Sequence, residues 1–247
     1  MIECELREGV TIVRLSRYER RNALVPELIE ELVEKLAQVS RDSRAVVITG
    51  TNDAFCPGAD LKWLGTLPNP AQGIAELVAM HHTAIVALLE LRVPTISAIN
   101  GIVAGGGLGL ALAPDYRIAA QSATFTAAYF RLGLTPDGGS SAFLERTIGA
   151  TRAMELLLTN RRLSAAEALD WGMLNEVVAD DALLDRAVDF ARRLAPVPGY
   201  TLLQARRLLD MAQLRHQLQL ESVAIRTASR GEEFRAALKA FVAAHPG

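Results

Sequence analysis

Three stretches hold residue types and spacings suited to chemistry. The first is Phe55-Cys56-Pro57-Gly58-Ala59-Asp60-Leu61-Lys62, which follows a short apolar run at 45–49 and opens a helix after a turn. The first N–H groups of a helix lack internal partners, so a turn of this kind aims backbone donors outward, where they can receive a carbonyl oxygen on which negative charge develops. A merely structural strand-to-helix turn has the same residues. The second stretch, 98–113, contains Asn100-Gly101 and the run Gly105-Gly106-Gly107-Leu108-Gly109. Glycines there remove side chains where another group must come close, whether that group is a ligand or a packed helix. No Lys-Ser/Thr pair follows, so the P-loop chemistry of nucleotide hydrolysis lacks its cation and metal ligand. The third is Asp137, between Thr135-Pro136 and Gly138-Gly139 at an expected helix start. A carboxylate in that place serves either as a helix N-cap or as an acid–base group.

Other candidates carry less. His81 shares a helical stripe with Leu77, Ile85 and Leu88, which suits a core or pocket-lining histidine better than a base. Glu145 falls two turns along the helix after Asp137, as a surface residue. Lys62 and Arg21 are either phosphate contacts or solvated cations. Cys4 and Cys56 have no metal-ligand spacing around them and are expected to be reduced, incidental thiols, with no metal site.

The elements that must position these residues are those of an α/β protein. Apolar and charged residues alternate over 2–15 around Glu8-Gly9, predicting an antiparallel hairpin. Residues 26–39 place Leu28, Leu32, Val33, Leu36 and Val39 at helical spacing, and 75–91 form a second helix that stops before Pro94. The continuous apolar runs 45–49 and 95–99 read as strands covered on both faces. Helices between parallel-looking strands imply crossover connections. From about Pro196 the strand signals cease and 202–220, 223–229 and 233–244 read as helices, which sets a boundary between a core, 1–195, and a C-terminal helical part, 196–247. Flexible stretches are expected at Pro68-Asn69-Pro70 and after Ala244.

The chain has 247 residues, half of them hydrophobic and 22% charged, with a formal net charge of −2. That composition excludes a disordered or collagen-like chain and gives no general attraction to nucleic acid or anionic lipid. The apolar stretch 95–113 is too broken by glycine to be a membrane span, and residues 1–5 lack the basic start and apolar run of a signal peptide. A cytoplasmic protein without nucleic-acid or membrane partners is expected.

Taken together and in order, the first two stretches resemble the two signatures of the enoyl-CoA hydratase/isomerase (crotonase) family. Further matches are Pro114-Asp115-Tyr116-Arg117-Ile118-Ala119, the segment 132–139 and the segment 165–174, so that the resemblance covers roughly residues 2–242. The resemblance implies a crotonase-like spiral of ββα units followed by helices that pack on the core or a neighbouring subunit, with assembly into trimers or hexamers through the C-terminal helices. It implies an acyl-CoA thioester as substrate, coenzyme A being part of that substrate and no separate cofactor being needed. Carried onto this chain, the N–H groups of Ala59 and Gly106 form an oxyanion hole for a thioester enolate. Backbone from Ala59 through Asp60, Leu61 and Lys62 contacts the adenine part of coenzyme A, and Tyr129 is a further acyl-CoA contact.

Family hydratases use two glutamates, and those positions fall here on Gly109 and Tyr129. Adding water across a double bond needs one group to activate water and one to protonate carbon, so their absence argues against ordinary hydration. Asp137 resembles instead the acid–base residue of enoyl-CoA isomerases and the nucleophile of 4-chlorobenzoyl-CoA dehalogenase, which residues 152–161 also resemble. Isomerisation through a dienolate, with Asp137, Ala59 and Gly106 catalytic, is the favoured activity. Hydration, hydrolysis or dehalogenation of an unusual acyl group and a non-catalytic acyl-CoA or RNA binder are the alternatives.

Overall fold

The computed structural model describes residues 1–39, 43–194 and 196–245. Ala195, at the expected boundary, and Pro246 and Gly247, at the end of the expected flexible tail, lie outside the described residues.

The chain opens with an antiparallel hairpin, β1 (Ile2–Arg7) and β2 (Val10–Leu15), turned by Glu8 and Gly9, both at positive φ. Helix α1 (Pro26–Ala37) buries Leu28, Leu32 and Leu36 of the expected stripe together with Ile29, while Val33 is half-buried and Val39 lies beyond the helix end. The chain then repeats one plan: a strand in a first sheet, a three-residue strand in a second, then helix. The first round is β3 (Ala45–Thr49), β4 (Ala54–Cys56), α2 (Leu61–Thr66) and α3 (Pro70–Leu89). The second is β5 (Thr95–Ile99), β6 (Ile102–Ala104) and α4 (Gly107–Leu112), and the third is β7 (Tyr116–Ala120), β8 (Thr124–Thr126) and α5 (Ser140–Thr159). The chain continues through β9 (Leu163–Ser164), α6 (Ala165–Asp170), β10 (Glu176–Val178) and α7 (Leu183–Arg193). It ends in α8 (Gly199–Arg206), α9 (Ala212–Ala228) and α10 (Glu232–Ala244).

The six-stranded sheet has the order β1-β2-β3-β5-β7-β10, and the four-stranded sheet β4-β6-β8-β9. Beyond the hairpin the first sheet is parallel, which explains its uninterrupted apolar strands. In β3, Val46 and Ile48 enter the main core while Ala45 and Val47 face α7, so no position is left for water. The repeated strand–strand–helix plan is the spiral of ββα units that the sequence resemblance implies.

Some elements went unread, and one expectation needs correction. The strands β4, β6 and β8 are too short to show any alternation and were not legible as strands. Pro70 is not loop but the first residue of α3, with Asn69 as its N-cap accepting from the Gln72 N–H, the place where a proline's missing N–H costs nothing. By length and composition α3 could cross a bilayer, but its Leu77, Val78, Ala84, Ile85 and Leu88 are buried in the protein core.

The C-terminal helices pack on their own chain. Phe234 and Ile225 are fully buried, and α9 contacts α3 and α5 while α10 contacts α2. Arg206 on α8 is buried, its guanidinium donating to the carbonyls of Leu89, Leu91 and Val93 and to the Asp115 carboxylate. The expected helix 202–220 is divided by a π-helical stretch, Arg207–Met211, which joins α8 to α9, and α9 runs unbroken through the gap expected before 223–229. Of their apolar residues, Leu214 and Leu218 are buried, whereas Leu208 and Leu209 are 86% and 72% exposed.

Candidate active site

Strand register brings the two glycine-bearing turns together. β4 and β6 are parallel neighbours, with Ala54 opposite Ile102 and Cys56 opposite Val103, so the loops leaving their ends run side by side. Gly58 permits the approach. Its φ is +88°, and a Cβ there would lie 2.9 Å from the Ala104 carbonyl oxygen and 3.1 Å from the Gly106 nitrogen. Ala59 and Gly106, about 47 residues apart in sequence, thereby border one cleft of ≈720 Å³. Among the described residues, neither N–H has an internal hydrogen-bond acceptor.

Their neighbours are committed elsewhere. The Asp60 N–H bonds the Leu24 carbonyl at 2.9 Å, and the Asp60 carboxylate caps α2 by accepting from the N–H groups of Lys62 and Trp63. Asp60 is also ion-paired with Arg17 at 2.7 Å. Burial alone would raise its pKa, but the backbone donor of Trp63 and the Arg17 guanidinium outweigh it and hold the carboxyl below its ordinary 3.8. Of the four residues 59–62, then, Asp60 and Lys62 have spent their backbone donors internally, and all four still line the cleft.

Asp137 sits in the same cleft and is 6% exposed. Its carboxylate accepts no hydrogen bond from any described residue, and it is not the cap of α5. The cap residue is Gly139, and the exposed helix donors are satisfied from another element: Glu221 of α9 accepts from the Gly139 N–H at 2.8 Å, the Ser141 N–H at 3.1 Å and the Ser141 hydroxyl at 2.6 Å. Burial pushes the Glu221 pKa up, but the carboxylate accepts from the Ser141 hydroxyl and from two backbone N–H groups, and it lies below its ordinary 4.5. His82 Nε2 accepts from the Gly138 N–H at 3.1 Å, which fixes the backbone of the turn on its other side.

The two hydratase glutamate positions are closed to that chemistry. A Cβ at Gly109 would fall 2.2 Å from the Gly138 carbonyl oxygen, so this packing admits no side chain there. Tyr129 lines the cleft at 3% exposure, its hydroxyl 2.8 Å from Ser140 Oγ and donating to the Asp137 carbonyl at 3.3 Å. Burial, and next the negative Asp137, push its pKa well above the ordinary 10, so it remains a phenol. Asp137 is thus the carboxylate beside the two free N–H groups.

A model of the enoyl-CoA hydratase/isomerase family matches residues 5–245. The chain belongs to that family. It is 39% identical to a 1,2-epoxyphenylacetyl-CoA isomerase of Escherichia coli over 96% of this chain and 93% of the relative. It is 37% identical to a 4-chlorobenzoyl coenzyme A dehalogenase of an Arthrobacter species over 81% of this chain and 74% of the relative. Among solved structures, an enoyl-CoA hydratase from Bacillus halodurans superposes with a TM-score of 0.88 at 24% identity, covering 97% of this chain and 99% of that one, which establishes the fold. The protein is accordingly an acyl-CoA enzyme of the family.

The other expected residues divide. Lys62 and Arg21 border the cleft, though Arg21 is ion-paired with Asp53 at 3.1 Å, while Glu145 is exposed and borders a different hollow. Arg20 and Arg131, also on the cleft, and Ala237 and Ala240 from α10 were not singled out from sequence. Nor was Glu221. Its signal was present: it continues the buried stripe Leu214, Leu218, Ile225 of α9, and a carboxylate on an apolar stripe must have partners.

Proposed function

We propose that the protein is an enoyl-CoA isomerase that moves a double bond relative to the thioester through a dienolate. The observation that carries this is one unpaired carboxylate, Asp137, beside two unpaired backbone donors, with both hydratase glutamate positions closed. The thioester oxygen sits between the N–H groups of Ala59 and Gly106. Asp137 takes the proton from the carbon next to the thioester, charge passes to the oxygen, and Asp137 returns the proton two carbons further along. One carboxylate can serve both carbons because the planar dienolate offers them on one face, and no water has to be managed. A preorganised oxyanion donor contributes about 10²–10³ in rate.

Backbone at Ala59 and Leu61 receives the adenine end of coenzyme A, with Lys62, Arg20, Arg21 and Arg131 available to its phosphates, and Tyr129 walls the acyl group. Self-association into a trimer or hexamer uses the exposed apolar residues of the C-terminal helices.

The test is product mass with a panel of 3-enoyl-CoA chains and ring-derived CoA esters, since isomerisation leaves mass unchanged and hydration adds water. Asp137→Asn folds, binds acyl-CoA and loses turnover. A fast mass-changing reaction without double-bond migration sinks the isomerase reading and favours the second one, hydrolysis with Asp137 as nucleophile or water-orienting group, which the dehalogenase likeness supports.

A further inference from the structure

Helix α3 places His81 on the buried stripe of Leu77, Ile85 and Leu88, at 2% exposure. A leucine there would fill the stripe with no polar atom to satisfy. The imidazole brings two nitrogens, and one of them, Nε2, is buried with no hydrogen-bond partner among the described residues. An unpaired buried polar atom costs about 1–3 kcal/mol, so the other nitrogen should account for its presence.

That nitrogen faces the site. Nδ1 of His81 lies 3.8 Å from Asp137 Oδ1. A Cβ built on Gly106 would meet Asp137 Oδ1 at 2.9 Å and the Cε1 and Nδ1 atoms of His81 at 3.4 Å. The ring edge and the carboxylate therefore converge beside the Cα of Gly106. Gly138 packs closely against the same ring edge, because a Cβ there would strike Cε1 at 2.4 Å and Nδ1 at 2.7 Å.

The tautomer follows from these contacts. A proton on Nε2 would bury an unpaired donor and turn the Nδ1 lone pair toward a carboxylate. A proton on Nδ1 points at Oδ1 and leaves only a lone pair unpaired, so the Nδ1–H form is the stable one. The separation of 3.8 Å exceeds a hydrogen bond and closes with a small side-chain rotation; catalytic hydrogen bonds tighten in this way when substrate is in place.

We propose that His81 is the positioning residue of Asp137: its Nδ1–H holds Oδ1 and leaves the second carboxylate oxygen to reach the substrate carbons. The inference rests on the acid–base role given to Asp137 above. Consecutive histidines divide the work, since residues one apart on a helix point about 100° from each other. His81 fixes the carboxylate, and His82 fixes the backbone of the same turn through the Gly138 N–H.

Two measurements test it. The first compares His81→Leu with His81→Asn, whose amide nitrogen takes the place of Nδ1. His81→Leu should lower kcat about 10²-fold with KM and thermal stability little changed, and His81→Asn should recover most of the loss. Wild-type kcat in His81→Leu, or a loss that His81→Asn does not restore, overturns the proposal. The second is independent of turnover: ¹⁵N spectra of histidine-labelled protein should show His81 protonated at Nδ1, with its shifts altered in Asp137→Asn. Protonation at Nε2 overturns the proposal. A wild-type enzyme that shows the Nδ1–H form but no double-bond migration refutes the isomerase reading and leaves the His81–Asp137 pairing standing.

Discussion

Replacing Gly106 by alanine separates the chemistry of the site from its packing. The backbone there is right-handed helical, φ −57° and ψ −20°, so alanine brings no backbone strain. The new Cβ would lie 2.9 Å from Asp137 Oδ1, where ordinary contact begins at 3.4 Å, so the carboxylate must retreat by about 0.5 Å. The obstructed atom is the tip of a side chain, and the strain of moving it, about 1 kcal/mol, is offset by the 0.4–1 kcal/mol gained when glycine's freedom in the unfolded chain is reduced. The melting temperature should therefore stay within about 4 °C of wild type. The displaced base and the crowded approach to the Gly106 N–H should lower kcat/KM about 10–10²-fold. Gly109→Ala is the contrast. Its Cβ would come 2.2 Å from the Gly138 carbonyl oxygen, a backbone atom inside the core. Overpacking there should cost about 3 kcal/mol and lower the melting temperature by about 6–12 °C. Turnover of 3-enoyl-CoA and thermal unfolding by circular dichroism, measured on both variants, decide the matter. Full activity in Gly106→Ala, or a loss of stability equal to that of Gly109→Ala, would refute the placement of Asp137 against Gly106.

Glu221 has a folded-state pKa below its ordinary 4.5, so its stabilisation is complete above that pH and is lost as pH falls through the lower, folded value. Thermal unfolding of Glu221→Gln should show a shallower decline below about pH 4.5 than wild type, and parallel curves would count against the buried cap. Arg206→Ala removes a buried guanidinium from three carbonyls and Asp115 and should lower stability by about 3 kcal/mol, read as a fall of about 6–12 °C in melting temperature. Sedimentation should find a trimer or hexamer, and Leu208→Asp combined with Leu209→Asp should shift it toward monomer; a wild-type monomer at all concentrations refutes self-association through these residues.

Periodicity and the two glycine-bearing stretches made much of this molecule legible in its sequence. The buried strands β3 and β5, the stripe of α1, the hairpin turn at Glu8-Gly9 and the family itself all follow from local patterns, because a strand covered on both faces or a helix with one apolar stripe leaves its mark residue by residue. Chain order could not show that strands of three residues would form a second sheet, since three residues carry no period. Yet that sheet is what sets Ala59 beside Gly106. Nor could it say whether Asp137 was a cap or a base. Only the packed structure shows that it is not the cap, because the donors Asp137 would have capped are taken by Glu221, about 84 positions away on another helix, leaving its carboxylate unbonded in the cleft. His81 shows the same division: its helical phase is written in the sequence, but what its Nδ1 faces depends on a turn brought to it from elsewhere in the chain, and such long-range contacts are fixed by packing rather than by neighbours in sequence.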